Sequence, residues 1–81
     1  MLTSEKLIKD ITKLIEKQDL EIGDTFWLST ENYNGYTLKR LRTLLQPLFD
    51  EEAIKKSSSK LSAPQAEQYQ IMKYPFLKHH E

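Results

Sequence analysis

An α+β fold is predicted for this chain: amphipathic helices packed on a small antiparallel sheet that ends in a C-terminal hairpin. Three observations predict it. Residues 4–18 and 36–49 both carry apolar side chains at helical spacing. Thr25-Phe-Trp-Leu28 is a short β-prone run behind turn chemistry at Gly23-Asp24. Ile54 to Leu61 and Tyr69 to Tyr74 are strand-compatible runs joined by a proline-containing loop.

The central stretch, Tyr36 to Phe49, organises the rest. Leu38, Leu41, Leu44, Leu45, Leu48 and Phe49 fall within an arc of about 140° on a helical wheel. Lys39, Thr43 and Gln46 lie opposite, with Arg40 and Arg42 on the flanks. One side is hydrocarbon and the other is basic and hydrogen-bonding. Pro47 interrupts this helix, because a proline removes a helical hydrogen bond and clashes with the carbonyl four residues back. Either the helix ends near Leu45 and a fresh turn starts at Pro47, or it continues with a kink. The acidic run Asp50-Glu51-Glu52 favours the break, since carboxylates suit a helix start better than a helix end.

The first helix is expected over Ser4 to Gln18. Leu7, Ile8, Ile11, Leu14 and Ile15 form its stripe, and Thr3 or Ser4 caps it. Its outer face alternates charge, with Glu5–Lys9 and Lys6–Asp10 four apart, which reads as a solvated surface. In the run at 25–28, Phe26 and Leu28 share one face. Trp27, the only tryptophan, points to the other and is expected to be a lid on the core edge; the alternative is an exposed contact anchor. Ser29 begins an incomplete capping box, allowing one helical turn at 30–33. Asn34-Gly35 is a turn, and Thr37 is the expected N-cap of the central helix.

Ile54 to Leu61 reads as the first hairpin strand, anchored at its ends by Ile54 and Leu61, with the serine run as a mobile tip or a flexible linker. Residues 62–67 read as the loop and Tyr69 to Tyr74 as the second strand, which Pro75 ends. Tyr69, Ile71 and Met72 are its core-facing candidates. Phe76 and Leu77 are expected to tuck back on the core. Residues 1–77 form one domain, and 78–81 form a frayed tail.

Composition narrows the function. The 81 residues hold 12 basic and 12 acidic side chains, for zero net charge. Residues 1–34 carry four Lys/Arg against seven Asp/Glu, whereas residues 35–60 carry six against three. Positive charge thus gathers around the central helix. There is no cysteine, so a disulfide framework and a thiolate zinc site are excluded. No apolar run approaches the roughly 20 residues of a membrane span, and the first residues lack the apolar core of a signal peptide. A cytoplasmic protein is expected. No catalytic constellation or phosphate-binding glycine loop is present, so an enzyme is not expected. No cofactor is implied. His79, His80 and Glu81 are adjacent residues on a tail, and Asp50 to Glu52 lack spaced oxygen partners, so neither set reads as a metal site.

The order helix, strand, helical turn, helix, hairpin resembles a winged helix-turn-helix domain. The run Gly23 to Leu28 followed by Tyr36 to Phe49 also looks like small single-domain proteins of Gram-positive bacteria and their phages. The likeness spans roughly residues 20–74 and lies in layout. That likeness implies a fold and no activity; the winged-helix layout together with the basic face of the central helix makes double-stranded DNA the expected partner, with that helix in the major groove and the hairpin as a wing on phosphate. Lys39, Arg40, Arg42, Thr43 and Gln46 are then the contact residues of the helix, and Lys55, Lys56 and Lys60 those of the wing. The bland alternative is a solvated basic face beside a lysine-bearing edge strand. A different class of function is a protein-interaction module that inhibits or adapts a larger protein. Its anchors are Trp27, Tyr33 and Tyr36.

Overall fold

The computed structural model describes residues 1–57 and 66–76. Among them the chain forms α1 (Ser4–Lys17), β1 (Thr25–Ser29), a 3-10 turn (Thr30–Asn32), α2 (Leu38–Leu44), α3 (Gln46–Asp50), β2 (Ile54–Lys56) and β3 (Ala66–Ile71). The fold is α+β. The sheet is antiparallel with order β1-β3-β2, so β3 occupies the centre.

α1 is capped by Thr3, whose hydroxyl accepts from the Lys6 N–H at 3.1 Å. Leu7, Ile11 and Ile15 are its buried residues, spaced by four, while Ile8 and Leu14 flank them half-buried. The helix stops in a left-handed residue, Asp19 (φ 55°), which lets Leu20 N–H return to the Ile15 carbonyl at 2.9 Å.

The central apolar stripe folds as two short helices, because Pro47 forces a break. Leu45 N–H donates to the carbonyls of both Leu41 and Arg42, at 3.1 and 3.0 Å, which closes α2. Pro47 then stands in the first turn of α3, where no N–H is required. Leu41, Leu45 and Leu48 remain fully buried across the break. α3 ends as α1 does. Glu52 is left-handed (φ 56°), and Ala53 N–H returns to the Leu48 carbonyl at 2.9 Å. The acidic run therefore serves as the turn into β2.

Tyr69 is the centre of the core. It is fully buried, its ring lies 6.0 Å from that of Phe26, and Phe49 meets it edge-on at 5.7 Å. Phe26 and Leu28 from β1, Ile54 from β2 and Ile71 from β3 complete the inner face of the sheet.

Several expectations need correction. β3 starts at Ala66, so Ala66 and Glu67 belong to the strand rather than to the loop. It stops at Ile71, because Met72 and Lys73 both donate to the Ala53 carbonyl, at 2.7 and 3.1 Å. Met72 is consequently exposed and Tyr74 lies outside the strand. Trp27 is no lid: 45% of its surface is exposed, on the face of β1 opposite the buried Phe26 and Leu28. Phe76 does pack on the core, edge-on to Tyr74 at 5.4 Å. Ser57, the first residue of the serine run, still donates its N–H to the Gln68 carbonyl at 2.9 Å, while residues 58–65, Leu61 among them, Leu77 and the tail 78–81 lie outside the described residues. No described helix is long and apolar enough to cross a membrane.

Candidate nucleic-acid interface

α2 is the element that carries the basic face. The preceding turn sets its start. Gly35 adopts φ 85°, open to glycine at little cost, and Thr37 then caps the helix by accepting from Arg40 N–H at 3.1 Å. Tyr36 braces the corner, its hydroxyl accepting from Leu2 N–H at 3.0 Å. Its ring also lies beneath the Arg40 guanidinium, 5.5 Å from the centroid, which orients that cation.

Lys39, Arg40 and Thr43 are exposed on α2. Neither Lys39 nor Arg40 pairs with a carboxylate among the described residues. Thr43 donates its hydroxyl to the Lys39 carbonyl at 3.0 Å. With Thr37 and Leu44 these residues line a shallow, open depression of about 500 Å³.

The remaining expected contacts divide. Arg42 is drawn to the sheet, where its Nη1 donates to Glu67 Oε2 at 2.7 Å. Lys56 Nζ comes within 3.5 Å of the same oxygen. Tyr69 donates its hydroxyl to Glu67 Oε1. Glu67 is thus a hub that ties α2 and both hairpin strands together. Burial raises its pKa, but the hydrogen bonds from Tyr69 and Arg42 outweigh that and hold it below the ordinary value. Gln46 donates to Asp50 Oδ1 at 2.9 Å, across one turn of α3. Lys55 and Lys56 alternate along β2, so Lys56 reaches towards α2 while Lys55 points to the opposite face of the sheet. Lys60 lies outside the described residues.

Of the aromatic residues proposed as protein-contact anchors, only Trp27 is exposed. Tyr36 is committed as above. Tyr33 donates to Asp10 Oδ2 at 3.1 Å, while Lys6 holds the other Asp10 oxygen at 2.7 Å. Burial, and then the Asp10 carboxylate, push the Tyr33 hydroxyl up to about 12.

Glu67 is the residue that sequence reasoning missed. The signal was present: Glu67, Tyr69 and Ile71 share the period-two face of one strand. A carboxylate on a core-facing position needs a cation, and Arg42 is the partly buried basic residue that supplies one. Among the described residues no group of three or more His, Asp or Glu side chains converges to hold a metal. No family model matches the chain, and no curated protein or solved structure shows significant similarity to it.

Proposed function

We propose that this chain is a non-enzymatic, cytoplasmic DNA-binding accessory or regulatory protein with a winged-helix-like layout. α2 enters the major groove and the β2–β3 hairpin lies along the phosphate backbone. The observation that carries this reading is the pair of cations Lys39 and Arg40, which meet no carboxylate among the described residues, beside Thr43 on one exposed face. The order β1-β3-β2, with the hairpin following the basic helix, supports the wing. Lys56, on the α2 side of the sheet, is 68% exposed and held only loosely by Glu67, at 3.5 Å, and adds a third cation. Arg42 is a positioning residue that fixes α2 against Glu67, and Gln46 is spent on Asp50.

The test is fluorescence anisotropy with a labelled duplex across a salt series. Three phosphate contacts give a slope of about −2.7 in log K against log salt, so binding weakens about 40-fold from 50 to 200 mM. Replacing Lys39 and Arg40 by Ala reduces the slope by about 1.8. No binding to any duplex at low salt overturns the reading.

Exposure of Trp27 favours a second reading, a protein-contact surface centred on that ring. A pull-down from lysate with and without nuclease separates the two. DNA binding loses its partners on nuclease treatment, and a protein contact keeps one stoichiometric partner.

A further inference from the structure

The two edges of the sheet are built differently. β2, at one edge, has three residues, and Lys55 and Lys56 are both exposed. Short edges with lysines resist the addition of another strand. β1, at the other edge, is Thr-Phe-Trp-Leu-Ser, five residues with no charge and no proline. Among the described residues no helix or strand other than β3 runs alongside it.

The hydrogen-bond phase of β1 follows from one bond. Ile71 N–H donates to the Asp24 carbonyl at 2.9 Å. Antiparallel ladders alternate, so Phe26 and Leu28 also turn their peptide groups towards β3. Thr25 and Trp27 then turn both N–H and C=O outward, and Ser29 turns its N–H outward. Such an edge is a template for strand pairing.

We infer that β1 is a self-association surface: β1 of a second copy adds antiparallel across a two-fold axis at Trp27, joining the two sheets into one. In this register the two Trp27 residues exchange N–H···O bonds, and each Ser29 N–H reaches the opposing Thr25 carbonyl. On the outer face the Trp27 rings meet as a cross-strand pair, flanked on both sides by hydroxyl residues. On the inner face Phe26 stands opposite Leu28. The strand reads hydroxyl, apolar, Trp, apolar, hydroxyl from either end, so it is its own complement in polarity and size and carries no charge, which is why a second copy suits it better than a charged foreign peptide. An isologous contact of this kind also closes on itself and does not propagate.

Asp24 and Glu31, just beyond the strand ends, bring like charges together across the axis. Salt therefore tightens the pair, opposite in sign to its effect on DNA binding. The inference does not depend on the DNA reading and is tested without nucleic acid.

Sedimentation equilibrium of the full chain over a wide concentration range is the experiment. The apparent mass should rise from 9.6 kDa towards twice that value, more readily at higher salt. Trp27→Lys places a charge on the edge and should hold the chain at the monomer mass. Thr25→Pro removes the outward N–H that would donate to the opposing Ser29 carbonyl, along with the hydroxyl that accepts from Gln68 Nε2 at 2.9 Å, and should weaken pairing at least tenfold. Circular dichroism and thermal melts confirm that both variants fold. A wild-type chain that stays at 9.6 kDa at all concentrations overturns the inference, as does a dimer that survives both substitutions in folded form. Loss of duplex binding in Lys39→Ala/Arg40→Ala with the mass profile unchanged leaves the edge pairing intact, so the two readings fail separately.

Discussion

Replacing Glu67 by Ala should destabilise the fold and release a cation in one step. The Tyr69 hydroxyl donates to Glu67, and Tyr69 is fully buried, so Ala leaves that hydroxyl without its acceptor. An orphaned buried donor costs about 1–3 kcal/mol. The Arg42–Glu67 pair adds little, because the Arg42 side chain is 40% exposed and such pairs contribute about 0–1 kcal/mol. A loss of about 2 kcal/mol lowers Tm by roughly 8–16 °C in a domain of this size. Glu67→Gln keeps an acceptor for Tyr69 and should fall by less than half as much. Tyr69→Phe in the Glu67→Ala background removes the orphan and should recover part of the loss. Thermal melts of wild type, Glu67→Ala, Tyr69→Phe and the double variant form the double-mutant cycle, with Glu67→Gln measured beside them. Arg42, once released, should also tighten duplex binding and steepen its salt slope by about one. Equal melting temperatures for wild type and Glu67→Ala, or no coupling between positions 67 and 69, would refute the hub.

Other consequences are separable. Glu52→Gly should stabilise the fold by about 0.5–1 kcal/mol, since Glu52 holds a left-handed conformation that glycine adopts freely; urea midpoints would report it. Pro47→Ala should cost about 0.5–1 kcal/mol, because Pro47 fits the first turn of α3; a gain near 3 kcal/mol would instead mean a strained continuous helix. The Tyr33 hydroxyl titrates higher in the folded chain than in the unfolded one. Its stabilising contribution is complete below about pH 10 and is lost as pH rises towards 12, which Tyr33→Phe should abolish in alkaline melts. Asp10, held down chiefly by Lys6, and Glu67 have the opposite sign. Their contributions are present at neutral pH and are lost in acid as pH falls below their ordinary values of 3.8 and 4.5.

Much of the fold was legible because it is encoded locally. The stripe of α1, its cap at Thr3 or Ser4, the cap at Thr37, the turn at Gly35 and the break or kink at Pro47 each depend on residues within four positions of one another. The inward pairs Phe26 and Leu28, and Tyr69 and Ile71, follow from period-two alternation alone. The site was less legible. Basic residues on α2 could be counted, but whether each meets a carboxylate depends on Glu67, which lies 25 positions from Arg42 in sequence. Period two assigns Trp27 to the face opposite Phe26 and is silent on whether that face is covered. Coverage depends on where the helices pack, and they pack on the side that Tyr69 occupies. The ends of β3 were also decided at long range, by Ala53 accepting from Met72 and Lys73. By itself, then, the sequence determined the helices, their caps and the inward side of each strand, since these are short-range consequences of side-chain shape and backbone freedom. Only the tertiary structure decided which cations meet a carboxylate and which sheet face and edge remain open among the described residues, because those depend on partners brought together across the chain.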